Sequence, residues 1–427
     1  MRIWYSLYDR LLSERALSRA FAKVRRAKGA RTPGVDGQTA RDFQANLPEE
    51  LARLVTELRT RTYQAQPVQR ATIAKPDGGQ RLLGIPTIRD RVVQQALLDI
   101  LQPIFDPDFH PSSYGYRPKR SAQQAVAKAT MFIRQYGLCH VVDMDLSKCF
   151  DRLDHDLIIA SIRRRVTDGS ILNLIRMFLQ SGVMVDGVWS STEVGSPQGG
   201  VISPLIANIY LDAFDQEMKR RGHRIVRYAD DILILCRSES AAADAEQVAT
   251  KILEVDLKLT VNQDKTHRVH AREGVKFLGV TIGLKWTTVQ PQKIASLKDK
   301  IRKITRRNSN VNLAKVIVDL NRVLRGFVNY FRIANCSGQL QRLASWIRRR
   351  LRSKQLSLWK KPTRLHRRLR QLGYKGEFLK MRMRSWRTSR SQYSSWAMPN
   401  SWLHEEMGLY DVASLPTGVL PEVTSAT

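Results

Sequence analysis

Two adjacent aspartates, Asp230 and Asp231, stand between short apolar runs, Ile225-Val226 before them and Ile232 to Leu235 after them. Apolar runs of this length around a tight polar pair predict a β-hairpin with the two acids at its tip. Two like charges side by side are unfavourable unless something neutralises them. A divalent cation does so, and carboxylate oxygens suit magnesium. For an isolated pair, an exposed Asp-Asp turn is the simpler interpretation. Whether this pair binds a cation must therefore be judged from the rest of the chain.

A third carboxylate is available from a separate predicted strand, His140 to Leu146. With the strand period of two, Val142 and Met144 face one side while Asp143 and Asp145 face the other. Chemistry with two metal ions requires at least one acid besides the adjacent pair. Asp145, near the end of this strand, is the candidate that completes the set.

Two cations flank a predicted turn nearer the N-terminus. The pattern of residues 71–86 predicts two strands joined by Pro76-Asp77-Gly78-Gly79. Lys75 and Arg81 stand on either side of that turn, so adjacent strands could bring them to one spot. Such a pair suits a triphosphate, whose charge must be held while it is positioned. Exposed strand cations would be the simpler interpretation without the acids; beside them, the triphosphate is favoured.

Two further polar residues stand in segments between or after the acids. The Gly- and Pro-rich stretch 195–204 leads into a predicted helix, 205–214, and the amide of Gln198 could donate to an incoming nucleotide. A plain helix-start loop is the alternative. Residues 259–266 are predicted to end a strand with Lys265, which could act as general acid near a leaving pyrophosphate. A lone surface lysine would carry no such meaning.

The remaining pattern predicts mostly helices. Periodicity indicates helices over 7–28, 48–60, 90–101, 153–180, 241–257, 292–307 and 312–333, and a short strand over 275–280. The loop 29–37 is equally consistent with a plain connection and with close approach to a template phosphate. The loop 112–118 has Tyr114 and Tyr116 beside basic residues, which fits base stacking or simple loop anchoring.

The charge is far from balanced. The chain holds 71 Lys and Arg against 39 Asp and Glu, a formal net charge of +32. Residues 285–427 contain 30 of the basic and 7 of the acidic residues, a net charge of +23. An excess concentrated in this way implies a polyanionic partner along the C-terminal third. A basic membrane-binding surface would not need the acidic hairpin, whereas nucleic acid accounts for both.

The same region interleaves tryptophan with arginine. Trp346 precedes the run Ile347–Arg352, and Trp359 precedes the run Lys360–Arg370. Arginine-rich helices with aromatic residues suit a structured RNA, which is recognised by shape and phosphate position. A solvated helical face is the alternative, but this much like charge would repel itself without a counter-anion.

Length and cysteine usage set the remaining bounds. A chain of 427 residues with 43% apolar residues can bury a large core in two or three domains. It has no run of about 20 apolar residues, no signal-peptide pattern, and four scattered cysteines without a Cys-x-x-Cys pair. These features disfavour a membrane span, secretion, a zinc site and a disulfide framework. We expect a protein of the reducing cytoplasm.

Taken in order, the motifs resemble those of the reverse transcriptase/maturase proteins encoded by bacterial group II introns. The resemblance covers about residues 30–285 and continues in Leu324–Phe331 and Trp346–Arg352. The matching stretches are Gly34-Val35-Asp36-Gly37, Lys75-Pro76-x-Gly78-Gly79-x-Arg81, Gly84-Ile85-Pro86, Tyr114-Gly115-Tyr116-Arg117-Pro118, Asp143-Met144-Asp145 with Phe150, Ser196-Pro197-Gln198-Gly199-Gly200, Tyr228-Ala229-Asp230-Asp231 and Phe277-Leu278-Gly279.

The resemblance implies an α+β right-hand polymerase, with fingers and palm built from an antiparallel sheet plus helices, followed by an all-helical thumb. The expected domains are fingers and palm over 1–285, an RNA-binding thumb or maturase domain over 286–375, and a small DNA-binding segment over 376–427. No cysteine follows Cys336. We therefore expect no Cys/His-bearing endonuclease domain of the kind many relatives carry, and priming from an existing nick or nascent strand.

The resemblance also implies roles for the acids. Asp145, Asp230 and Asp231 resemble the catalytic metal ligands, with a backbone carbonyl from Leu146, for two magnesium ions. The ions would activate the primer 3′-hydroxyl and stabilise the leaving pyrophosphate in an in-line displacement. Phe150 resembles the aromatic gate that excludes a ribose 2′-hydroxyl and so selects deoxynucleotides.

Other roles follow in the same way. Lys75 and Arg81 resemble the triphosphate clamp, Gln198 a contact to the sugar and base of the nucleotide, and Lys265 a general acid. The residues expected to bind RNA are Arg348, Arg349, Arg350 and Arg352.

The implied function is an RNA-directed DNA polymerase that binds its own intron RNA and assists splicing and insertion into DNA. Its partners would be intron RNA in a ribonucleoprotein, an RNA template with a DNA primer, deoxynucleotides and target DNA in the nucleoid, with no membrane. One rival is a maturase-only splicing factor, which would have lost the palm acids, yet all three are present. A domesticated relative in phage defence or DNA repair is another, disfavoured by Tyr228-Ala229-Asp230-Asp231, the form of mobile introns.

Overall fold

The structure is a computed structural model that describes residues 2–74, 80–185, 188–191, 194–196, 199–378 and 381–422, with only the main chain of Arg81. The chain forms two compact units, one up to His270 and one from Ala271 onward. Both units combine helices with sheets, so the α+β class is confirmed. The domain boundaries after 285 and 375 stay predictions. None of the helices in the described ranges has the length and apolar character needed to span a bilayer.

The first unit alternates helices with short strands. Its helices are α1 (Glu14–Arg26), α2 (Ala40–Ala45), α3 (Leu47–Thr60), α4 (Ile88–Phe105), α5 (Ala122–Arg134), α6 (His155–Arg163), α7 (Gly169–Gln180), α8 (Ser203–Arg220) and α9 (Glu239–Lys251). Its strands are β1 (Val68–Ala74), β2 (Gln80–Ile85), β3 (His140–Asp145), β4 (Val183–Val185), β5 (Val188–Ser190), β6 (Arg224–Tyr228), β7 (Asp231–Cys236) and β8 (His267–His270). The helices predicted over 48–60, 90–101 and 205–214 lie within α3, α4 and α8.

Several helices begin where their sequences provide a side-chain cap. Ser13 accepts a hydrogen bond from Ala16 N–H and so starts α1 inside the longer helix predicted over 7–28. Thr87 caps α4 in the same way through Asp90 N–H. These hydroxyls satisfy donors that a helix otherwise leaves unpaired at its first turn.

An antiparallel sheet, here called the acidic sheet, has the strand order β6-β7-β3-β8. β6 and β7 form the predicted hairpin, with Tyr228 paired to Asp231. One face is anchored in the core because Val142, Met144 and Ile234 are buried. α8 and the other helices of the first unit except α5 contribute to the same core.

A second sheet in the first unit has the order β2-β1-β4-β5. β1 and β2 are antiparallel, as predicted, with Ile73 opposite Arg81, and β1 runs parallel to β4. The predicted turn between β1 and β2, residues 75–79, lies outside the described residues.

The second unit begins with a small sheet and continues as helices. Its strands are β9 (Val275–Phe277), β10 (Val280–Ile282) and β11 (Thr287–Val289), and its helices are α10 (Pro291–Ile304), α11 (Leu313–Phe331), α12 (Ser337–Trp359), α13 (Pro362–Gln371) and α14 (Gln392–Ala397). The prediction of one strand over 275–280 is wrong. Leu278 and Gly279 have φ of 47° and 84° and turn the chain into a β9–β10 hairpin. The helices predicted over 292–307 and 312–333 are confirmed as α10 and α11.

Candidate active site

Three aspartates meet where β3 ends and β7 begins. Asp145 lies directly opposite Asp231 in the β3–β7 pairing, a register that places Cβ atoms about 5 Å apart. Asp230 occupies the turn between β6 and β7. The register is held because Met144 and Ile232, which also pair across these strands, are buried. The structure thus brings together the three acids predicted to share one site.

The carboxylates at this site crowd one another. The Asp231 side chain retains access to solvent, yet the surrounding protein removes part of its hydration. This desolvation, and then the charges of Asp230, Asp145 and Asp143, raise the pKa of Asp231 to about 7. Burial and the charge of Asp230 raise the pKa of the Cys149 thiol to about 12. Accumulated negative charge of this kind favours a bound cation.

Protein groups already contact the end of β3. Lys265 Nζ lies 3.4 Å from Asp145 Oδ2, and Asn262 Nδ2 donates to the same oxygen at 3.2 Å. The Asn262 N–H donates to the Asp145 carbonyl at 2.9 Å, and Leu146 forms a β-bridge with Val261. The segment after α9 therefore fixes the end of β3 and places an ammonium group beside the carboxylates.

The donors at this site fit a hard divalent cation. Asp145, Asp230 and Asp231 offer carboxylate oxygens, and Leu146 offers a carbonyl oxygen, the ligand types that such ions prefer. In the part of the chain that the structure describes, no three Asp, Glu, His or Cys side chains form a finished ligand set. Asp145 Oδ2 is instead shared by Lys265 and Asn262.

Lys265 does not end a strand, so that prediction is wrong. It lies in the turn 263–265, and the N–H groups of Lys265 and Thr266 both donate to the Asn262 carbonyl. The alternation of apolar residues predicts a strand here, but the recorded pairing is the single bridge of Val261. The pairing ends there because Asn262 instead forms hydrogen bonds with Asp145, the last residue of β3.

Phe150 lies in the turn after β3, five residues beyond Asp145. Its ring is largely buried and meets Tyr116 edge to face, with ring centroids 6.3 Å apart. The Phe150 carbonyl accepts a hydrogen bond from Ser196 N–H at 2.7 Å, and Gly195 N–H donates to the Leu153 carbonyl at 2.9 Å. The Phe150 ring thus meets the 112–118 loop, and the Phe150 main chain is bonded to the glycine-rich loop.

The predicted nucleotide contacts are only partly visible. Lys75 and Gln198 lie outside the described residues, and Arg81 lies in β2 with its main chain alone described. Gly199 packs against β2, where a Cβ atom would lie 2.4 Å from the Gly84 oxygen. This contact brings the described end of the glycine-rich loop against the strand that carries Arg81.

Three basic residues that were not among the predicted site residues line a cavity beside this loop. The cavity has a volume of about 430 Å³, and its walls include Arg70, Lys148 and Arg152 as well as Asp151 and Ser196. Its excess of cations suits a phosphate-bearing ligand. These three residues belong to no recognised motif. The only feature of the sequence that could have indicated a phosphate site was a basic side chain near a strand end.

The role of Arg227 was also not apparent from the sequence. It stands immediately before the Tyr228-Ala229-Asp230-Asp231 motif, and the structure buries it completely in an ion pair with Asp215. Residue type alone gave no signal, because arginine is normally found at the surface.

The four arginines predicted to bind RNA lie on α12 and are half-buried. Arg349 stacks over Trp386, 4.4 Å from the ring centroid. Arg350 Nε donates to Thr305 Oγ1 at 2.6 Å, and Arg352 Nε donates to the Met398 carbonyl at 2.9 Å. Arg350 and Arg352 therefore have structural duties within the second unit, beside any contact with RNA.

Two family models match the chain. Residues 73–282 match the model described as reverse transcriptase (RNA-dependent DNA polymerase). Residues 294–373 match the model described as group II intron, maturase-specific domain. The acidic sheet and the Phe150 turn lie within the first match, and α12 lies within the second.

Curated relatives agree with these matches. "Protein YkfC" of Escherichia coli is 36% identical over 59% of this chain and 76% of its own length. "Group II intron-encoded protein LtrA" of Lactococcus lactis is 27% identical over 80% of this chain and 73% of its own length. "Putative COX1/OXI3 intron 2 protein" of Saccharomyces cerevisiae is 25% identical over 73% of this chain and 43% of its own length. The chain belongs to the group II intron-encoded reverse transcriptase/maturase family and is a reverse transcriptase with a maturase domain.

Proposed function

We propose that Asp145, Asp230 and Asp231 are the catalytic carboxylates of DNA synthesis and that, with the Leu146 carbonyl, they hold two magnesium ions. Reverse transcriptases use divalent metal ions as a class. The observation that carries the proposal is the register that sets Asp145 opposite Asp231 with Asp230 in the adjoining turn. The raised pKa of Asp231 supports it, because the charge that crowds this carboxyl is the charge a cation would neutralise.

The bound ions would activate the primer 3′-hydroxyl and stabilise the leaving pyrophosphate. In this proposal Lys265 donates a proton to the pyrophosphate, and its place beside Asp145 supports that role. Phe150 excludes a 2′-hydroxyl, and its burial supports a fixed, rigid gate. The proposed clamp on the triphosphate and the nucleotide consists of Lys75, Arg81 and Gln198.

The variant Asp230→Ala tests the carboxylate site. We expect DNA synthesis on an RNA template to fall by more than about 100-fold, because even residues that only support metal ligands cost 10- to 100-fold when replaced. Primer extension with magnesium and deoxynucleotides measures this. RNA affinity should remain, since the acid lies in the first unit and repels phosphate.

The matched control for this test is Asp244→Ala, which removes an exposed acid from α9 of the same unit. It should leave synthesis unchanged. Synthesis by the Asp230→Ala protein at the control's rate would refute the assignment of the acids.

The second part of the proposal is that the chain binds group II intron RNA as a ribonucleoprotein, assists its splicing and carries it into target DNA. The maturase-specific match over 294–373 supports this, as does the net charge of +23 over residues 285–427. We assign RNA binding to 286–375, with the arginines of α12, and DNA contact to 376–427. The proposed place of action is the bacterial cytoplasm, at the DNA of the nucleoid.

A splicing assay tests this second part. Precursor RNA containing the intron from the same locus should splice at low magnesium only when the protein is added. The Asp230→Ala protein should support splicing as wild type does, because synthesis and RNA binding use different residues. Splicing that is indifferent to the protein would remove the maturase role while leaving the polymerase role intact.

A further inference from the structure

A fully buried arginine stands at the base of the acid-bearing hairpin. The guanidinium of Arg227, in β6, donates to both carboxylate oxygens of Asp215, in α8, at 2.6 to 2.9 Å. Both side chains are 0% exposed. Removing two charges from water is costly, and their attraction compensates only with good geometry and further hydrogen bonds. The further bonds made by Arg227 indicate what the pair is for.

The remaining arm of the guanidinium reaches the hairpin turn. Arg227 Nη1 donates to the carbonyl of Ala229 at 3.0 Å and to Asn208 Oδ1 at 3.1 Å. Ala229 has a φ of 59°, a left-handed conformation that a residue with a side chain adopts only when its surroundings impose it. Its carbonyl belongs to the peptide that enters Asp230. One side chain therefore ties α8 to the turn that carries the acids.

A second connection holds the same turn from outside. Asn208 Nδ2 donates to the Gly115 carbonyl at 2.8 Å. A Cβ atom at Gly115 would lie 2.3 Å from the Ala229 nitrogen, so the two backbones are in direct contact. Residues 112–115 also run beside β6, where the N–H and carbonyl of Arg227 form main-chain hydrogen bonds at 2.9 Å. The turn is clamped between α8 and this loop.

We propose that Arg227, Asp215 and Asn208 form a positioning network that sets the height and direction of Asp230 and Asp231 relative to Asp145. They are positioning residues, because they act on the acids through Ala229 and contact no reacting atom. The inference rests on the proposed role of the three acids. Its rival is that the ion pair only joins α8 to β6 and contributes to folding alone.

Arg227→Lys provides the first test. A lysine keeps the buried charge near Asp215, but a single ammonium cannot serve Asp215, Asn208 and Ala229 as the planar guanidinium does. We expect kcat for nucleotide addition to fall on the order of 100-fold, the effect of a displacement of about 1 Å in a catalytic group. The KM for deoxynucleotides, the affinity for primer–template and the melting temperature should stay near wild type.

A double variant, Arg227→Met with Asp215→Leu, separates positioning from folding. Replacing a buried ion pair with apolar residues of similar volume is often neutral or stabilising, so the melting temperature should be close to wild type. Ala229 and Asn208 would still lack their donor, and kcat should remain low. The matched control for Arg227→Lys is Arg221→Lys, since Arg221 makes an exposed ion pair with Glu217 at the end of the same helix.

Two results would overturn the inference. One is a wild-type kcat for Arg227→Lys, and the other is a kcat that recovers with stability in the double variant. If the double variant does not fold, Asn208→Ser decides, because it breaks the links to Gly115 and Arg227 but leaves the ion pair; a kcat equal to wild type then rejects the network. An inactive wild-type protein would instead reject the proposed function of the acids.

Discussion

Asp145 and Arg227 are charged residues of the same sheet, yet their surroundings differ in kind. Asp145 keeps 30% of its side-chain surface exposed and shares an oxygen with Lys265 at 3.4 Å. Such a partly hydrated contact is weak and exchangeable, so a cation can replace the lysine. Arg227 is fully buried together with Asp215, and separating that pair would leave an unpaired charge in the interior. The first arrangement is suited to ligand exchange and the second to permanence.

At the same scale, Phe150→Ala should weaken the discrimination against ribonucleotides. The buried ring would no longer block a 2′-hydroxyl, and a difference of this size in a binding pocket changes selectivity by about 10- to 100-fold. Competing incorporation of deoxy- and ribonucleotides by primer extension measures the ratio. Phe178→Ala, which truncates a buried ring of α7, controls for loss of packing. Equal discrimination by the two variants would exclude Phe150 as the gate.

How much could be predicted at the residue scale depended on whether a residue belongs to an ordered motif. Asp145, Asp230 and Asp231 were grouped because carboxylates on neighbouring strand ends have a known chemistry. Arg227 and Asn208 were not singled out, because their significance lies in burial and in long-range contacts, which residue type does not reveal.

At the scale of elements, Gly115→Ala should disturb the hairpin turn without touching an acid. The added Cβ would meet backbone atoms of Ala229 and Tyr228 at 2.3 to 3.1 Å, so the loop or the turn must shift. We expect kcat to fall by about 100-fold with little change in primer–template affinity. Gly169→Ala is the control, since a Cβ there meets nothing within 4 Å. If both alanine variants synthesise DNA equally well, the loop does not set the turn.

The helix α8 should make stability depend on pH through Asp212. Burial, and then the charge of Asp215, raise the pKa of Asp212 to about 6. The same carboxyl in the unfolded chain has a pKa of about 4, so between these values only the folded protein binds the proton. Stability due to this group is therefore complete below about pH 4 and is lost as the pH rises to about 6.

Urea unfolding of wild type and of Asp212→Asn across this window measures the effect. The asparagine at position 212 does not titrate, so the variant should not lose the stability that wild type loses between about pH 4 and pH 6. The free energy of unfolding of the variant minus that of wild type should therefore increase across this window. Asp244→Asn supplies a control at an exposed acid. A constant difference between wild type and Asp212→Asn would contradict the predicted shift.

Two element predictions failed, one at a long-range contact and the other at a local turn. Residues 259–266 have strand-like alternation, but Asn262 bonds the end of β3 and turns the chain before β8. Residues 275–280 also read as one strand, yet Gly279 and Leu278 adopt positive φ and split it into a hairpin. Helices were predicted better because their periodicity and caps are local.

At the scale of the whole molecule, charge should govern RNA binding. Replacing Arg348 and Arg349 together with glutamine should weaken intron RNA binding and lower the slope of log affinity against log salt by up to about 2. Fluorescence anisotropy across salt concentrations measures both. Arg350 is left intact because it holds Thr305, and its loss would confuse folding with binding.

The control for this experiment carries the same change in charge. Arg53 and Arg59 are exposed on α3 of the first unit, and their replacement by glutamine should leave the slope nearly unchanged. Equal slopes for the two double variants would show that α12 has no privileged contact with RNA. The concentration of charge in the C-terminal third was readable from composition, whereas the internal use of Arg350 and Arg352 was not, since it depends on packing.

The main-chain bonds between residues 112–115 and β6 have a consequence for how molecules meet at high concentration. An open strand edge is a template on which another chain can add a strand. Here one flank of the acidic sheet is occupied by its own loop, and the other ends at β8 with His267, Arg268 and His270. Within the acidic sheet, as far as the chain is described, strand addition by a second copy would therefore begin at the β8 edge, where Arg268 is already paired with Glu246.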